Sequence, residues 1–492
     1  MATQVLLLLL VVLVLVLVPA PSMGTPSMET PRHHRRRLRG TANLAHPADN
    51  EYSVRHFTQT TDHFNAETSS GTFLQRYLLT DKYYTNGSGA PIFVFTGAEG
   101  GDVTGLYGYA YGHPRAVART HRALIVFLEH RFFGHSLPFG NGSASDAVRP
   151  DRIGLLSVEQ ALADYASIIY WLREEYGAWD AQVVTFGGSL AGTLSALMRV
   201  RYPALVDIAW ASSTPLLGYP SIAGVSQYSW RKQVTDNFEL LSPGCPALVR
   251  QAFAALGEAD STTVQKVYNV CEKTYSGLVG DVQEVAWGVL EGDGEFTYPS
   301  ATSAIPAHCH AMRQAPSDLS MFAALIRIGA AGYLEPAAGM CLNLTKYKEG
   351  ATTHDAVGWD FLACTEIVHP IGCNNVTDMF PPYNWTVAGQ AAYCGSQFHV
   401  LPRPDWIPQQ FGLSHIHGRF STTHTRILFM YGLMDPWHTL GVGVTNLSVE
   451  LPVVVAADGS HCADMEEGQP GDSKTMLAAR ARAETILAAW LE

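Results

Sequence analysis

The chain has 492 residues, 47% hydrophobic and 15% charged, with a formal net charge of -12. That composition excludes a disordered chain, and the length suffices for a large core and two structural units. The negative balance argues against nucleic acid as a partner.

Val5 to Val18 is an unbroken apolar run, shorter than the roughly 20 residues a membrane span needs. Small and turn-forming residues follow from Pro19 to Gly24. Residues 1–24 therefore read as a secretory signal peptide, although Met1 to Gln4 lack a Lys or Arg. No stable membrane span is expected after cleavage. Residues 25–50 are polar and contain HHRRRLRG, His33 to Gly40. This basic cluster reads as a solvated flexible tail or a short propeptide. Folded sequence is expected from near Tyr52.

Phe73 to Leu79 alternates as a strand does. Pro91 to Phe95, PIFVF, is a buried-type strand that opens into Thr96-Gly97-Ala98-Glu99-Gly100-Gly101. The loop lacks G-x-G-x-x-G spacing, so it is not a dinucleotide fingerprint. Ala123 to Leu128 is the next buried strand. Glu129 and Arg131 after it are expected to brace the loop by ion pairs rather than to act on a substrate. Ser157, with Gln160 three residues on, reads as a capping box, and Leu162, Tyr165, Ile169 and Leu172 give the following helix one apolar face.

The stretch Gln182 to Pro203, QVVTFGGSLAGTLSALMRVRYP, follows. A strand through Phe186 meets a corner at Gly187, Gly188 and Ser189, and a helix-permitting run continues to Tyr202. Strand, sharp turn with a serine at its apex, then helix is the context that gives G-x-S-x-G its meaning. Gly187 and Ser189 fit that motif, but Ala191 stands where its second glycine belongs, and glycine is delayed to Gly192. Val206 to Ala211 is another strand. Buried strands alternating with helices imply a parallel sheet covered on both faces.

Beyond Tyr219 the pattern turns helical, with proline-rich loops, and residues 218–414 read as an inserted helical unit. The sheet-forming pattern of 51–217 resumes in 415–492 with strands Arg426 to Tyr431 and Leu451 to Ala456 and a last helix, Ser473 to Leu491. All eight cysteines lie from Cys245 onward, and an even number in a secreted chain implies disulfides, here bracing the insertion. No C-x-x-C pair supports a structural metal. Sequons at Asn86, Asn141, Asn343, Asn375, Asn384 and Asn446 agree with a secretory route to the cell exterior, lysosome or vacuole.

A serine nucleophile needs a base, and the base needs an orienting acid. Asp435 follows the strand RILFMY and His461 follows LPVVVA, so both sit past the carboxyl ends of consecutive strands, on the edge where the Ser189 corner lies. The order Ser, Asp, His is that of α/β hydrolases. His438, Asp458 and Asp464 compete but belong to the same loops. In this reading Ser189 attacks a carbonyl, His461 moves the proton and Asp435 fixes the imidazole. The backbone N–H of Leu190, with one from the loop at Ala98 and Glu99, binds the oxyanion.

The stretches FTGAEGG, LEHRFFGHSLPFG, LSVEQALADYA, TFGGSLAGTLSALMRVRYP, WDFLACTE, YGLMDPW and DGSHCADM resemble the family of lysosomal Pro-Xaa carboxypeptidase, dipeptidyl peptidase II and thymus-specific serine protease. They run in order from about residue 91 to 465. The resemblance implies an α/β-hydrolase core with a large, mostly helical insertion over the active site, and hydrolysis next to proline in peptides. It places the family's catalytic serine, aspartate and histidine on Ser189, Asp435 and His461. The chain departs from the family at Leu190 (usually tyrosine), Ala191 (usually glycine), Ala98 (usually asparagine), Leu362 (often glutamine) and His438 (commonly serine). The expected function is a serine exopeptidase whose substrates are proline-containing peptides, acting without a cofactor. An aromatic pocket for the proline ring is expected among Trp437, Trp359, Phe361 and Tyr383. Which end of the peptide is held is left open by the residues, as is a homodimer. An esterase on the same fold and a non-catalytic binding homologue are the competing readings.

Overall fold

The computed structural model describes residues 51–65, 71–87, 89–100, 102–139, 144–297, 303–329 and 341–492. The signal-peptide, 25–50 and Asn141 expectations lie outside them. A single eight-stranded sheet forms from β1 (Ser53–Thr60), β2 (Thr72–Thr80), β3 (Ile92–Phe95), β4 (Leu124–Leu128), β5 (Val183–Gly188), β6 (Ile208–Ser212), β7 (Ile427–Gly432) and β8 (Val453–Ala456). The strand order is β1-β2-β4-β3-β5-β6-β7-β8. β1 and β2 pair antiparallel to each other, β2 pairs antiparallel to β4, and β3 to β8 run parallel. A mixed sheet with its serine corner after the central β5 is the α/β-hydrolase fold.

The helices that matter to the sheet are α1 (Gly112–Thr120), α2 (Val158–Glu175) and α3 (Leu190–Arg201). The longer ones between the two parts of the sheet pattern include α4 (Ser229–Leu241), α5 (Cys245–Glu258), α6 (Leu278–Glu295), α7 (Ile305–Arg313), α8 (Asp318–Gly329), α9 (His354–Thr365) and α10 (Val387–Phe398). α11 (Lys474–Leu491) closes the chain. The period-2 alternation of the strands sorts their side chains onto two faces. Ile92, Val94 and Val126 pack with Leu162, Ile169 and Leu194 of α2 and α3. Phe93, Phe95 and Phe127 pack with Val117 of α1 and with Ala483 and Leu487 of α11. Both faces of the central strands are dry, which is why those strands read as continuous apolar runs.

A separate apolar cluster joins α4 to α8 through Trp230, Phe238, Phe253, Leu278 and Phe322, and it reaches Trp437 and Leu440 in the loop after β7. Trp359, Phe361 and Leu362 of α9 instead belong to the cluster on the sheet. Three disulfides form: Cys245–Cys309 joins α5 to α7, Cys271–Cys341 spans two loops, and Cys364–Cys394 joins α9 to α10. Loops of 64, 70 and 30 residues are thereby closed, each stabilising by about 4 kcal/mol in chain-entropy terms. Cys373 and Cys462 remain thiols, so six of the eight cysteines do the bracing.

Two local expectations change. Ser157 caps α2, its Oγ accepting from Gln160 N at 3.3 Å. The Gln160 side chain does not reach back, however; it bonds His63 N and Asp62 Oδ1, so half of the capping box is used to hold the start of the fold. The edge strand β1 was not foreseen, because SVRHFTQT is mostly polar and only Gln59 in it is buried.

Candidate active site

β5 continues through Gly187 and Gly188, and the chain turns at Ser189 with φ 62° and ψ -129°. A residue with a Cβ there stores strain of about 1–3 kcal/mol, and the surroundings over-determine it. Ser189 N–H donates to Ser212 O at 3.0 Å, and Ser189 O accepts Thr193 N–H at 3.0 Å. A Cβ on Gly187 would lie 2.0 Å from Ala191 O, and one on Gly192 would lie 2.6 Å from Ser212 O. The close approach that demands the second glycine of the motif therefore falls on Gly192. Ala191 fits because its methyl is buried without such a conflict, while its carbonyl accepts Thr96 Oγ1 at 2.7 Å.

Leu190 opens α3, so its N–H is one of the first-turn donors that no helix can satisfy internally. Its side chain lies in the sheet cluster together with Leu362. Two of the departures from the family pattern are thus apolar residues in one apolar environment. Ala98 and Glu99 lie in the loop after β3, which is pinned against β4. A Cβ on Gly97 would sit 2.4 Å from His130 N, and Tyr165 OH donates to Gly97 O at 3.4 Å. Ser189 is half-buried, and its Oγ donates to Glu99 Oε1 at 3.5 Å.

Asp435 is fully buried after β7, where it caps the short helix Pro436–Leu440. Its Oδ1 accepts Trp437 N at 2.9 Å and His461 Nδ1 at 3.0 Å. A carboxylate only accepts, so Nδ1 carries the proton and Nε2 is the basic nitrogen of the neutral ring. Burial opposes the imidazolium, but the adjacent Asp435 carboxylate and the neighbouring Cys462 side chain together outweigh it and hold the His461 pKa well above the ordinary value. The Asp435 and His461 loops are tied together, with Met434 N–H donating to Gly459 O at 3.0 Å. A Cβ on Gly432 would meet Gly459 O at 2.1 Å.

His461 Nε2 is buried and has no hydrogen-bond partner among the described residues. The hydrogen-bond chain therefore runs from Asp435 to His461, while Ser189 Oγ is turned to Glu99. Such bonds in unliganded enzymes are often long and tighten with substrate. Glu295, the last residue of α6, was not picked out by the sequence. Its carbonyl accepts His461 N–H at 3.1 Å, its Oε1 accepts Trp437 Nε1 at 2.9 Å, and the same oxygen lies 3.8 Å from His461 Nε2. Phe296 beside it stands 5.7 Å from the imidazole, ring to ring. Nothing in EGDGEF marks it, because only the tertiary contact gives it meaning.

The competitors have structural partners. His438 Nδ1 bonds Asp435 O at 2.6 Å, Asp458 accepts the Ser473 hydroxyl, and Asp464 accepts the Ser212 hydroxyl. Arg131 pairs with Asp164, and Glu129 with Arg76, as braces. Of the four pocket candidates, Trp437 stands beside His461, 6.2 Å between rings. Phe361 packs on Phe398 at 5.6 Å, Trp359 lies in the sheet cluster, and Tyr383 pairs through its backbone with Cys373. Asn86, Asn375, Asn384 and Asn446 are exposed, and Asn343 is half-buried as a helix cap. Among the described residues no group of three or more His, Cys, Asp or Glu is placed to hold a metal.

The sequence pattern of the family described as serine carboxypeptidase S28 matches residues 59–483. Lysosomal Pro-X carboxypeptidase of Homo sapiens is 31% identical over 457 residues, covering 89% of this chain and 88% of that protein. Thymus-specific serine protease of Mus musculus is 27% identical over 467 residues, covering 88% and 86%. The solved proline iminopeptidase of Mycobacterium smegmatis aligns at TM-score 0.36 and 11% identity, over 89% of this chain and 100% of that one. The fold assignment rests on the strand order and not on that loose likeness.

Proposed function

This chain belongs to the serine carboxypeptidase S28 family and is a serine-type peptidase; from that premise we propose that it is an exopeptidase cleaving next to proline through Ser189, Asp435 and His461. The observation that carries the assignment is the 3.0 Å contact from Asp435 Oδ1 to His461 Nδ1, on the sheet edge that holds the strained serine. Rotation of the Ser189 hydroxyl from Glu99 toward Nε2 completes the relay. Oγ then attacks the carbonyl carbon, Nε2 takes its proton and returns it to the leaving nitrogen, and water resolves the acyl-enzyme by the reverse path. The Leu190 N–H and an N–H of the Ala98–Glu99 segment face the developing oxyanion, a kind of contact worth about 10²–10³ in rate.

The helical segment, residues 218–414, serves as the inserted unit that shapes the substrate site, with Trp437 as the aromatic wall for the proline ring. The relatives' names support a lysosomal setting. The disulfides support an oxidising compartment, and hence passage through the secretory pathway. No helix among the described residues is long and apolar enough to cross a membrane.

Proline peptides blocked at one end, the other or both test the reading. One singly blocked peptide should be cleaved and the doubly blocked one spared. Equal cleavage of the doubly blocked peptide overturns the exopeptidase, and turnover of short-chain esters alone points to an esterase. A fluorophosphonate probe should label the protein stoichiometrically, and Ser189→Ala should abolish labelling and lower peptide turnover by about 10⁶-fold. An unlabelled folded protein overturns the assignment of Ser189.

A further inference from the structure

Two carboxylates in the site have no part in the chemistry above. Glu99 Oε1 lies 3.5 Å from Ser189 Oγ, and Glu295 Oε1 lies 3.8 Å from His461 Nε2. Both are deeply buried, at 5% and 3% exposure. They arrive from different elements, Glu99 from the loop after β3 and Glu295 from the end of α6. Glu295 is held in place, since Trp437 Nε1 donates to its carboxylate and its carbonyl takes the His461 N–H. His461 Nε2 itself is buried and has no hydrogen-bond partner among the described residues.

Resting on the exopeptidase reading, we propose that Glu99 and Glu295 make this site select the free amino end of a proline-containing peptide and turn away a free carboxyl end. The leaving-group side carries half of the argument. Nε2 must come within about 3 Å of the leaving nitrogen to return its proton. If that nitrogen belongs to a C-terminal residue, the α-carboxylate sits on the very next carbon. Glu295, 3.8 Å from Nε2, then faces it with like charge in a site where little water screens the repulsion. The acyl side carries the other half. The chain rises about 3.3–3.6 Å per residue, and Glu99 stands 3.5 Å from the attacking oxygen. It therefore meets an ammonium group only when the amino end lies within one or two residues of the scissile bond. The substrate class is a peptide with an unblocked amino terminus, releasing a single residue or a dipeptide. The end held is opposite to the one the family's name describes.

The test uses one proline peptide in two forms, amino end free with carboxyl amidated, and amino end acetylated with carboxyl free. The wild-type protein should cleave the first at least about tenfold better in kcat/KM. Glu295→Gln should narrow that ratio by about tenfold, Glu99→Gln should narrow it through a higher KM for the free-amine peptide, and Glu295→Asp should keep it. The rate of fluorophosphonate labelling, measured in each variant, reports whether fold and nucleophile survive, so a variant that does not label is replaced by the other in the comparison. A wild-type preference for the free-carboxyl peptide overturns the inference, as does a ratio that neither Gln variant moves. If the wild-type protein labels but cleaves neither form, the proline-exopeptidase reading itself falls, and this inference with it.

Discussion

The Ser189 corner and the Asp435–His461 pair meet at one sheet edge but are built in opposite ways. The corner is local. Its strain, its two obligatory glycines and its helix start all lie between Gly187 and Gly192, and its outside support comes from the adjacent strand ends at Ser212 and Thr96. The acid–base side is assembled from afar, with Asp435 after β7, His461 after β8 and Glu295 at the end of α6. The corner stores energy in backbone torsion. The pair stores it in burial, with a carboxylate and an imidazole held dry against each other. Substitutions in the first should therefore register as stability or clash, and in the second as proton affinity.

The contrast can be broken most severely at Asp435. Asp435→Asn is expected to lower kcat by about 10⁴-fold by favouring the wrong imidazole tautomer. Its pH profile sharpens the point. In the wild type, kcat/KM should rise with pH as His461 loses its proton, with a midpoint above about 6.5 because Asp435 favours the charged ring. Removing that charge should move the midpoint down. The stability consequence has the same origin. A folded pKa above the unfolded one means that the imidazolium contributes fully below about pH 6.5, and that the contribution is lost as pH rises through the folded value. An unchanged midpoint in Asp435→Asn would break the assignment of Asp435 as the partner that sets the base.

At the corner, Gly187→Ala should cost about 3 kcal/mol or more, because the new methyl would meet a backbone carbonyl at 2.0 Å. Urea unfolding measures this, and a near-neutral result would mean that the corner yields easily. The smallest effect has the opposite sign. Ser189→Gly should raise stability by about 1 kcal/mol while abolishing turnover, since glycine relieves the torsional strain at φ 62°. A stability unchanged or lowered would show that the hydroxyl contact to Glu99 outweighs the strain.

The same contrast explains what the sequence made legible. The Ser189 corner could be read because strand, corner and helix are written in consecutive residues. Asp435 and His461 could be singled out as candidates because each comes directly after a buried apolar strand. Glu295 could not be found, since its role depends on a contact between a helix end and a loop far along the chain. Ala191 looked like a defect in the motif until Gly192 proved to be the residue facing Ser212. The pairing of six cysteines, with Cys373 and Cys462 left as thiols, was equally unreadable, because pairing depends on which Cα atoms lie within about 7 Å. The polar edge strand β1 escaped for want of an apolar face.

The hydrogen bond from His461 N–H to Glu295 O has a consequence for how such an enzyme can be divided. The backbone of the base loop is completed by a helix that the sheet does not contain. Trimming the chain to its sheet and covering helices would expose that donor and leave the His461 loop without its partner on α6. A graft of the helical unit from a relative would bring along whatever residue that relative carries at position 295, and with it a different contact to the backbone and ring of His461.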